Sequence, residues 1–245
     1  MSEGIVGIRR GVSAADRRDI FNAISASQWL GTWPCEVRQL LAQSAWIKRY
    51  PNDTEVHPAG TPVRELWMVV EGALELRRDA YTGARSVLSF SQPGEILGFN
   101  SQFSDAVPTY NVMTYGFTKL IHIPGSVIRE VLREQPELVW TLASYFFTRL
   151  QLRTDYIALH ATAPLKERII LQLLQMARQT ANMTDEIHLR LSQESLAFLL
   201  GTSRQSINRE LKTLKDLGLI DYKGGKIHVP SLSTLMSLHD LSMKN

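Results

Sequence analysis

An α+β chain is predicted, in which a double-stranded β-helix (a β-roll) comes first, a long helix follows, and a small domain of helices and a hairpin completes the order. Three observations carry this. From about Trp46 to Ile123, short runs of β-forming residues are separated by turn residues. Beyond Pro124 the apolar residues recur with a helical period to about Ala161. After Pro164, the stretch Ser192–Arg209 encodes two short helices meeting at Gly201, and two alternating strands follow around Gly224-Gly225. The expected segments are 1–45, helical; 46–125, the β-roll; 126–163, helices; and 164–245, the C-terminal domain. A chain of 245 residues is long enough for two modest domains with a real core.

Residues 1–45 read as mainly helical, with Trp29, Trp33 and the Val37, Leu40, Leu41 stripe packing on the β-roll; no chemistry is visible in them. Glu3, Arg9, Arg10, Asp16, Arg17, Arg18 and Asp19 interrupt any apolar run, so neither a secretory signal nor a membrane span is expected, no membrane partner is implied, and the cytoplasm is the expected compartment. The single cysteine, Cys35, cannot form an intramolecular disulfide or hold an iron–sulfur cluster, and is expected to be a small buried hydrophobe.

The β-like runs are Trp67–Glu71, Ala73–Arg77, Ser86–Phe90, Tyr110–Met113 and Lys119–Ile123, with turns expected at Gly72, Tyr81–Gly83, Pro93-Gly94 and Gly116. Many short strands at even spacing mean a sandwich, barrel or roll.

Residues 126–134 form one short helix, and a longer one runs from Pro136 to about Ala161 before Pro164 interrupts it. The long helix carries two apolar stripes. Leu142, Tyr145, Leu152, Tyr156 and Leu159 follow a 3-4 alternation broken at Arg149; Ala143, Phe146, Leu150 and Ile157 line an adjacent face. Two stripes need two partners. The first is expected to form a parallel coiled coil with a second copy of the chain, and a single wide core-facing stripe in a monomer is the alternative.

In the C-terminal domain Ser192 is a plausible N-cap, Glu194 lies in the first turn, and Leu196, Ala197, Leu199 and Leu200 precede Gly201. The next helix starts from a Thr202–Gln205 capping box or from Ser203. Within it Ile207, Leu211 and Leu214 point inward, while Arg204, Gln205, Asn208, Arg209 and Lys212 share the opposite face. The planar fork of an arginine can donate twice to the guanine edge in the major groove, and glutamine can pair with adenine. An ordinary amphipathic surface helix would also look like this, but the hairpin just behind it makes the unit a winged helix-turn-helix, with Lys223 and Lys226 at the tip to meet phosphate. Arg204, Gln205 and Arg209 are the expected base-reading residues, supported by Thr202, Ser203, Asn208, Lys212, Lys223 and Lys226. Net charge is +3, and all of the excess lies in residues 164–245, with 11 Lys and Arg against 8 Asp and Glu. That is a mild footprint for a polyanion.

No nucleophile elbow, phosphate loop or zinc-protease helix occurs, and Glu95 has no matched acid or nucleophile nearby in sequence, so an enzyme is not expected.

The order of β-roll, long dimer helix and winged helix resembles the CRP/FNR family of bacterial transcription regulators, over about Ala45 to Val229. The sharpest match is L-G-T-S-R-Q-S-I-N-R at 200–209, which follows the family's recognition helix. Gln205 departs from the commoner glutamate; an amide both donates and accepts, so the operator should differ from the best-known half-site at that position. The resemblance implies a homodimer on a palindromic operator, with double-stranded DNA, a second copy of the chain and RNA polymerase as partners. The segment Thr162-Ala163-Pro164 would serve as hinge.

A second match is P-G-E-I-L-G-F at 93–99, similar to the family's phosphate-binding cassette. The effector pocket implied by the resemblance comprises Gly94, Glu95, Ile96, Leu97, Gly98, Phe99, Pro108, Thr109, Arg153 and Thr154. Where cyclic-nucleotide-binding members carry arginine, this chain has Pro108, which offers neither charge nor N–H. A cyclic nucleotide is therefore disfavoured, unless Arg153 on the long helix supplies a substitute charge; a different small effector, or a pocket with no ligand, stays open. Haem, also sensed in this family, has only His57, His122 and His160 as nominal ligands, each more simply an ordinary polar residue. A protein-binding role for the C-terminal domain is a further alternative.

Overall fold

The computed structural model describes residues 12–79, 85–104, 106–178 and 185–242. In chain order these form α1 (Ala14–Ala26), α2 (Cys35–Ser44), β1 (Trp46–Tyr50), β2 (Glu55–His57), β3 (Glu65–Asp79), β4 (Arg85–Ser91), β5 (Ile96–Leu97), α3 (Asn100–Phe103), β6 (Asn111–Pro124), α4 (Gly125–Glu134) and α5 (Leu138–Thr162). Then follow α6 (Leu165–Arg178), β7 (Ile187–Arg190), α7 (Gln193–Leu199), α8 (Arg204–Asp216), β8 (Asp221–Lys223), β9 (Lys226–Val229) and α9 (Leu232–Ser242). Contacts divide the chain into two units, one of residues 1–76 with 91–149 and one of 77–90 with 150–245.

The larger sheet, whose β1, β2, β5 and β6 belong to the first unit, runs β1-β6-β3-β4, with β2 on β6 and β5 on β3. Two pairs of expected short runs are single long strands, β3 and β6, and the glycines read as turns lie inside them. Gly72 is the clearest case. It has φ 77°, and a Cβ there would sit 2.3 Å from the Phe117 carbonyl oxygen, so the residue permits close backbone approach of β3 and β6 and does not reverse the chain. The expected turn at Tyr81–Gly83 lies outside the described residues.

The N-terminal helices close one side of this unit. Trp29, Trp33, Val37 and Leu41 are buried together with Leu66, Ile121, Ile128 and Leu138, and Trp33 Nε1 donates to Thr141 Oγ1 at 2.9 Å. Trp29 meets Trp33 and Phe99 edge-on at 5.0 and 4.5 Å, contacts that add to the area each ring buries. Cys35 is a correction: it opens α2 on the exposed face, because the helix buries Val37, Leu41 and Ala42 on the other.

The long helix also differs from expectation in which stripe faces inward. Leu142 is buried in the core of its own unit, and Tyr145 stacks on Trp29 at 5.8 Å. Trp140, Phe147, Leu150 and Ile157 are exposed instead, at 78%, 71%, 59% and 68%. With Ala143 and Thr154 they repeat at 3-4 spacing, a heptad seam two positions removed from the expected one. Leu142 is thus a core residue, and Tyr145 packs half-buried against that core. The remaining members of the expected stripe, Leu152, Tyr156 and Leu159, have side chains outside the described residues.

In the second unit β7-β9-β8 form an antiparallel sheet. Strand β7 was not expected; it is four residues long and its apolar Ile187 and Leu189 merge with the helical pattern around them. Among the described residues no helix is long and apolar enough to cross a membrane.

Candidate nucleic-acid interface and effector pocket

The turn between α7 and α8 is built by backbone chemistry. Ser192 caps α7, accepting from Ser195 N at 3.0 Å. At its other end Thr202 N donates to the Ala197 carbonyl at 3.0 Å and Gly201 N to that of Phe198 at 3.3 Å, the bond pair of a Schellman stop with its positive φ at Gly201. Ser203, not Thr202, caps α8, accepting from Ser206 N at 3.1 Å. A second Schellman stop ends α8, from Leu219 N to the Leu214 carbonyl at 3.0 Å and Gly218 N to that of Lys215 at 2.8 Å. An Arg168 guanidinium bond to the Leu200 carbonyl ties α6 to the same turn.

Helix α8 is amphipathic in fact. Ile207, Leu211 and Leu214 are all at most 2% exposed, whereas Arg204, Gln205, Asn208, Arg209 and Lys212 are exposed on the other face. With Ser203 as cap, Gln205 is not held in a capping box with Thr202. Asn208 Oδ1 accepts from Gln193 Nε2 at 3.0 Å and so braces α8 on α7. Arg209 Nε reaches Glu210 at 3.3 Å with its side chain 74% exposed, a weak pairing that a stronger acceptor can displace. Thr202 is half-buried in the turn.

The hairpin pairs Lys223 with Lys226 across Gly224 and Gly225, whose φ of 59° and 75° are those of a type I′ turn. Both lysines are exposed. Lys215 Nζ bonds Asp221 Oδ1 at 2.6 Å and anchors β8 to α8; that bond, the Tyr222 N–H and the nearby Lys215 charge hold Asp221 below the usual carboxylate range.

In the β domain, Gly94 and Gly98 are half-buried, Ile96 and Phe99 are core, and Leu97 pairs with Trp67 across β3 and β5. Glu95 is 3% exposed. One carboxylate oxygen accepts from Gln92 N at 2.8 Å and the other from Arg149, 54 residues later on α5. Arg149 also donates to Tyr145 Oη at 3.0 Å. Burial works against the Arg149 charge, but Glu95 and Tyr145, through charge and hydrogen bonds together, outweigh it and keep the guanidinium above its ordinary value; burial, reinforced by Glu95 and opposed by Arg149, raises Tyr145. Arg149 is the residue that sequence reading missed as a functional group. Its signal was the break it makes in the apolar stripe.

Pro108 is half-buried, and its carbonyl accepts from Gly60 N at 2.7 Å; Thr109 is exposed. Thr154 is exposed, and the Arg153 side chain lies outside the described residues. Among the nominal haem ligands, His57 Nε2 is held by Thr61 at 2.8 Å. His122 is buried against Trp46, with Nε2 3.1 Å from Tyr50 Oη and Nδ1 3.2 Å from Glu65, off the axis of a good hydrogen bond. Burial, with help from Glu65, pushes Tyr50 up to about 12, so it keeps its proton to donate. The side chain of His160 lies outside the described residues.

Two protein-family models match, one for a cyclic nucleotide-binding domain over residues 47–135 and one for a Crp-like helix-turn-helix domain over 167–238. Among curated relatives, the cAMP-activated global transcriptional regulator CRP of Salmonella typhimurium is 24% identical over 186 residues, 75% of this chain and 89% of that protein. FixK2 from Bradyrhizobium japonicum superposes with TM-score 0.67 at 20% identity, over 79% of this chain and 96% of that one. A CRP/FNR transcriptional regulator from Thermus thermophilus gives TM-score 0.59 at 22% identity, over 80% and 98%. Both family models fall on the domains described above, in the same chain order, and the chain belongs to the CRP/FNR family of DNA-binding transcriptional regulators.

Proposed function

We propose that two copies of this chain bind a palindromic operator, each placing the exposed face of α8 in the major groove. Arg204, Gln205 and Arg209 read bases, and Lys212, Lys223 and Lys226 meet phosphates. The single observation that carries this reading is the division of α8 into a fully buried apolar face and an exposed face of five hydrogen-bonding side chains. The dimer forms through the exposed seam of Trp140, Phe147, Leu150 and Ile157, a stripe too apolar to leave in water. The protein acts in the cytoplasm, with RNA polymerase as a further partner, and has no catalytic role.

The β domain senses a small molecule, but does not take cyclic AMP in the usual way. Glu95 is already neutralised by Arg149 and bonded to the Gln92 N–H, and Pro108 supplies no donor. Any anionic effector has Arg149 as its nearest described counter-charge at Glu95, and must compete with that carboxylate for it. Selection from a random double-stranded pool by the full chain tests the reading: enrichment of a two-fold symmetric site is expected, lost in Phe147→Asp/Leu150→Asp. Uniform retention of all sequences would overturn it.

A further inference from the structure

The solvent face of the β7-β9-β8 sheet carries two cross-strand rows. Residues 187, 189, 227 and 229 are buried, so their neighbours along each strand point outward. One row is Arg190, Lys226 and Lys223, all exposed cations. The next is His188, His228 and Asp221. Ahead of His188, Glu186 turns its carboxylate onto both histidines: Oε1 lies 2.8 Å from His228 Nε2 and 3.6 Å from His188 Nε2. The two imidazoles are stacked, with centroids 4.4 Å apart and planes 11° from parallel.

We propose that Glu186, His188 and His228 form a binding site for a borderline divalent transition metal such as zinc, nickel or copper(II). A simple surface ion pair needs one imidazole beside one carboxylate. Here two imidazole nitrogens converge on one carboxylate oxygen, presented by stacked rings on directly paired strand positions. A cation shared among the three satisfies every group at once. The ligating atoms all lie within 4.8 Å of one another. Zinc bonds of about 2.0–2.1 Å bring such atoms to roughly 3.4 Å apart, a closure within reach of side-chain rotation because Glu186 and His188 are 63% and 70% exposed. Cross-strand pairing fixes the two histidines relative to each other, and the N₂O donor set favours borderline ions over calcium or magnesium. Asp221 is occupied by Lys215 and Tyr222 and is not a ligand.

The site also bears on DNA binding, a consequence that rests on the function proposed above. His228 and Lys226 are two residues apart on one face of β9, about 7 Å along the strand. A divalent ion would add positive charge beside the cationic row that meets phosphate, and would strengthen DNA binding without changing which sequence is read.

Copper(II) electron paramagnetic resonance on the full chain, with one equivalent of copper, separates the two claims. Wild type should show nitrogen couplings from two imidazoles. His188→Ala and His228→Ala should each reduce these to one and weaken zinc affinity at least 10-fold in a chelator competition. Glu186→Gln, which is isosteric and exposed, should weaken zinc without removing either nitrogen. An unchanged spectrum in both histidine variants, or zinc affinity unaffected by all three, would overturn the site. Zinc should tighten wild-type binding to the selected DNA several-fold and leave His188→Ala/His228→Ala unaffected; equal tightening of both would overturn the coupling alone. A chain that binds copper through two imidazoles but no DNA would refute the functional reading and leave the metal site standing.

Discussion

The exposed face of α8 and the buried pair of Glu95 with Arg149 use the same chemistry, a guanidinium beside polar acceptors, in opposite settings. On α8 the arginines lie in water, and among the described residues Arg209 pairs with its sequence neighbour Glu210 in a weak exposed pair. At Glu95 the carboxylate is 3% exposed, and Arg149 reaches it from another element. The first arrangement leaves stability alone and keeps donors available for a ligand. The second makes stability depend on the pair, because removing either partner strands a charge in a poorly solvated place.

The sharpest way to break this contrast is Arg149→Met. It should destabilise the N-terminal unit by about 3 kcal/mol, read as a lowered Tm. Glu95→Gln/Arg149→Met should recover most of the loss, since it removes both charges. Equal Tm for wild type and Arg149→Met would mean that the pair contributes nothing. Arg204→Ala and Arg209→Ala should behave in the opposite sense: no shift in Tm, but a loss of roughly 1–3 kcal/mol in discrimination between the selected site and its mismatches, measured by fluorescence anisotropy. The smallest effect belongs to Lys223→Ala, which should weaken all sequences alike and reduce the slope of log affinity against log salt by about 1.

Legibility in the sequence follows the same division. Helix α8, its glycine stop and the Gly224-Gly225 hairpin are each specified by residues within a few positions, so caps, turn chemistry and the 3.6 period suffice to find them. The choice of Ser203 over Thr202 as cap was not decidable, since both are good caps one residue apart. Arg149 was visible only as an interruption, because its partner lies 54 residues away and no local rule links them. The two stripes of α5 were seen, but which faces the core depends on Trp29 and Phe99 meeting Tyr145, a packing fact from elsewhere in the chain. Gly72 and Gly116 misled for a related reason: a glycine that admits a neighbouring backbone looks, in sequence, like one that turns the chain. The His188–His228 pair emerged only with strand β7, whose four residues carry too little pattern to announce a strand.

Hydroxyl-radical footprinting of the full chain on its selected operator tests most directly whether α8 reads DNA in a symmetric pair. Two equivalent protected stretches centred about one helical turn apart, roughly 34 Å, are expected, with protection lost at both in Arg204→Ala/Arg209→Ala. A single asymmetric footprint, or one that survives the double substitution unchanged, would contradict the assignment of α8 as the recognition helix of a dimer.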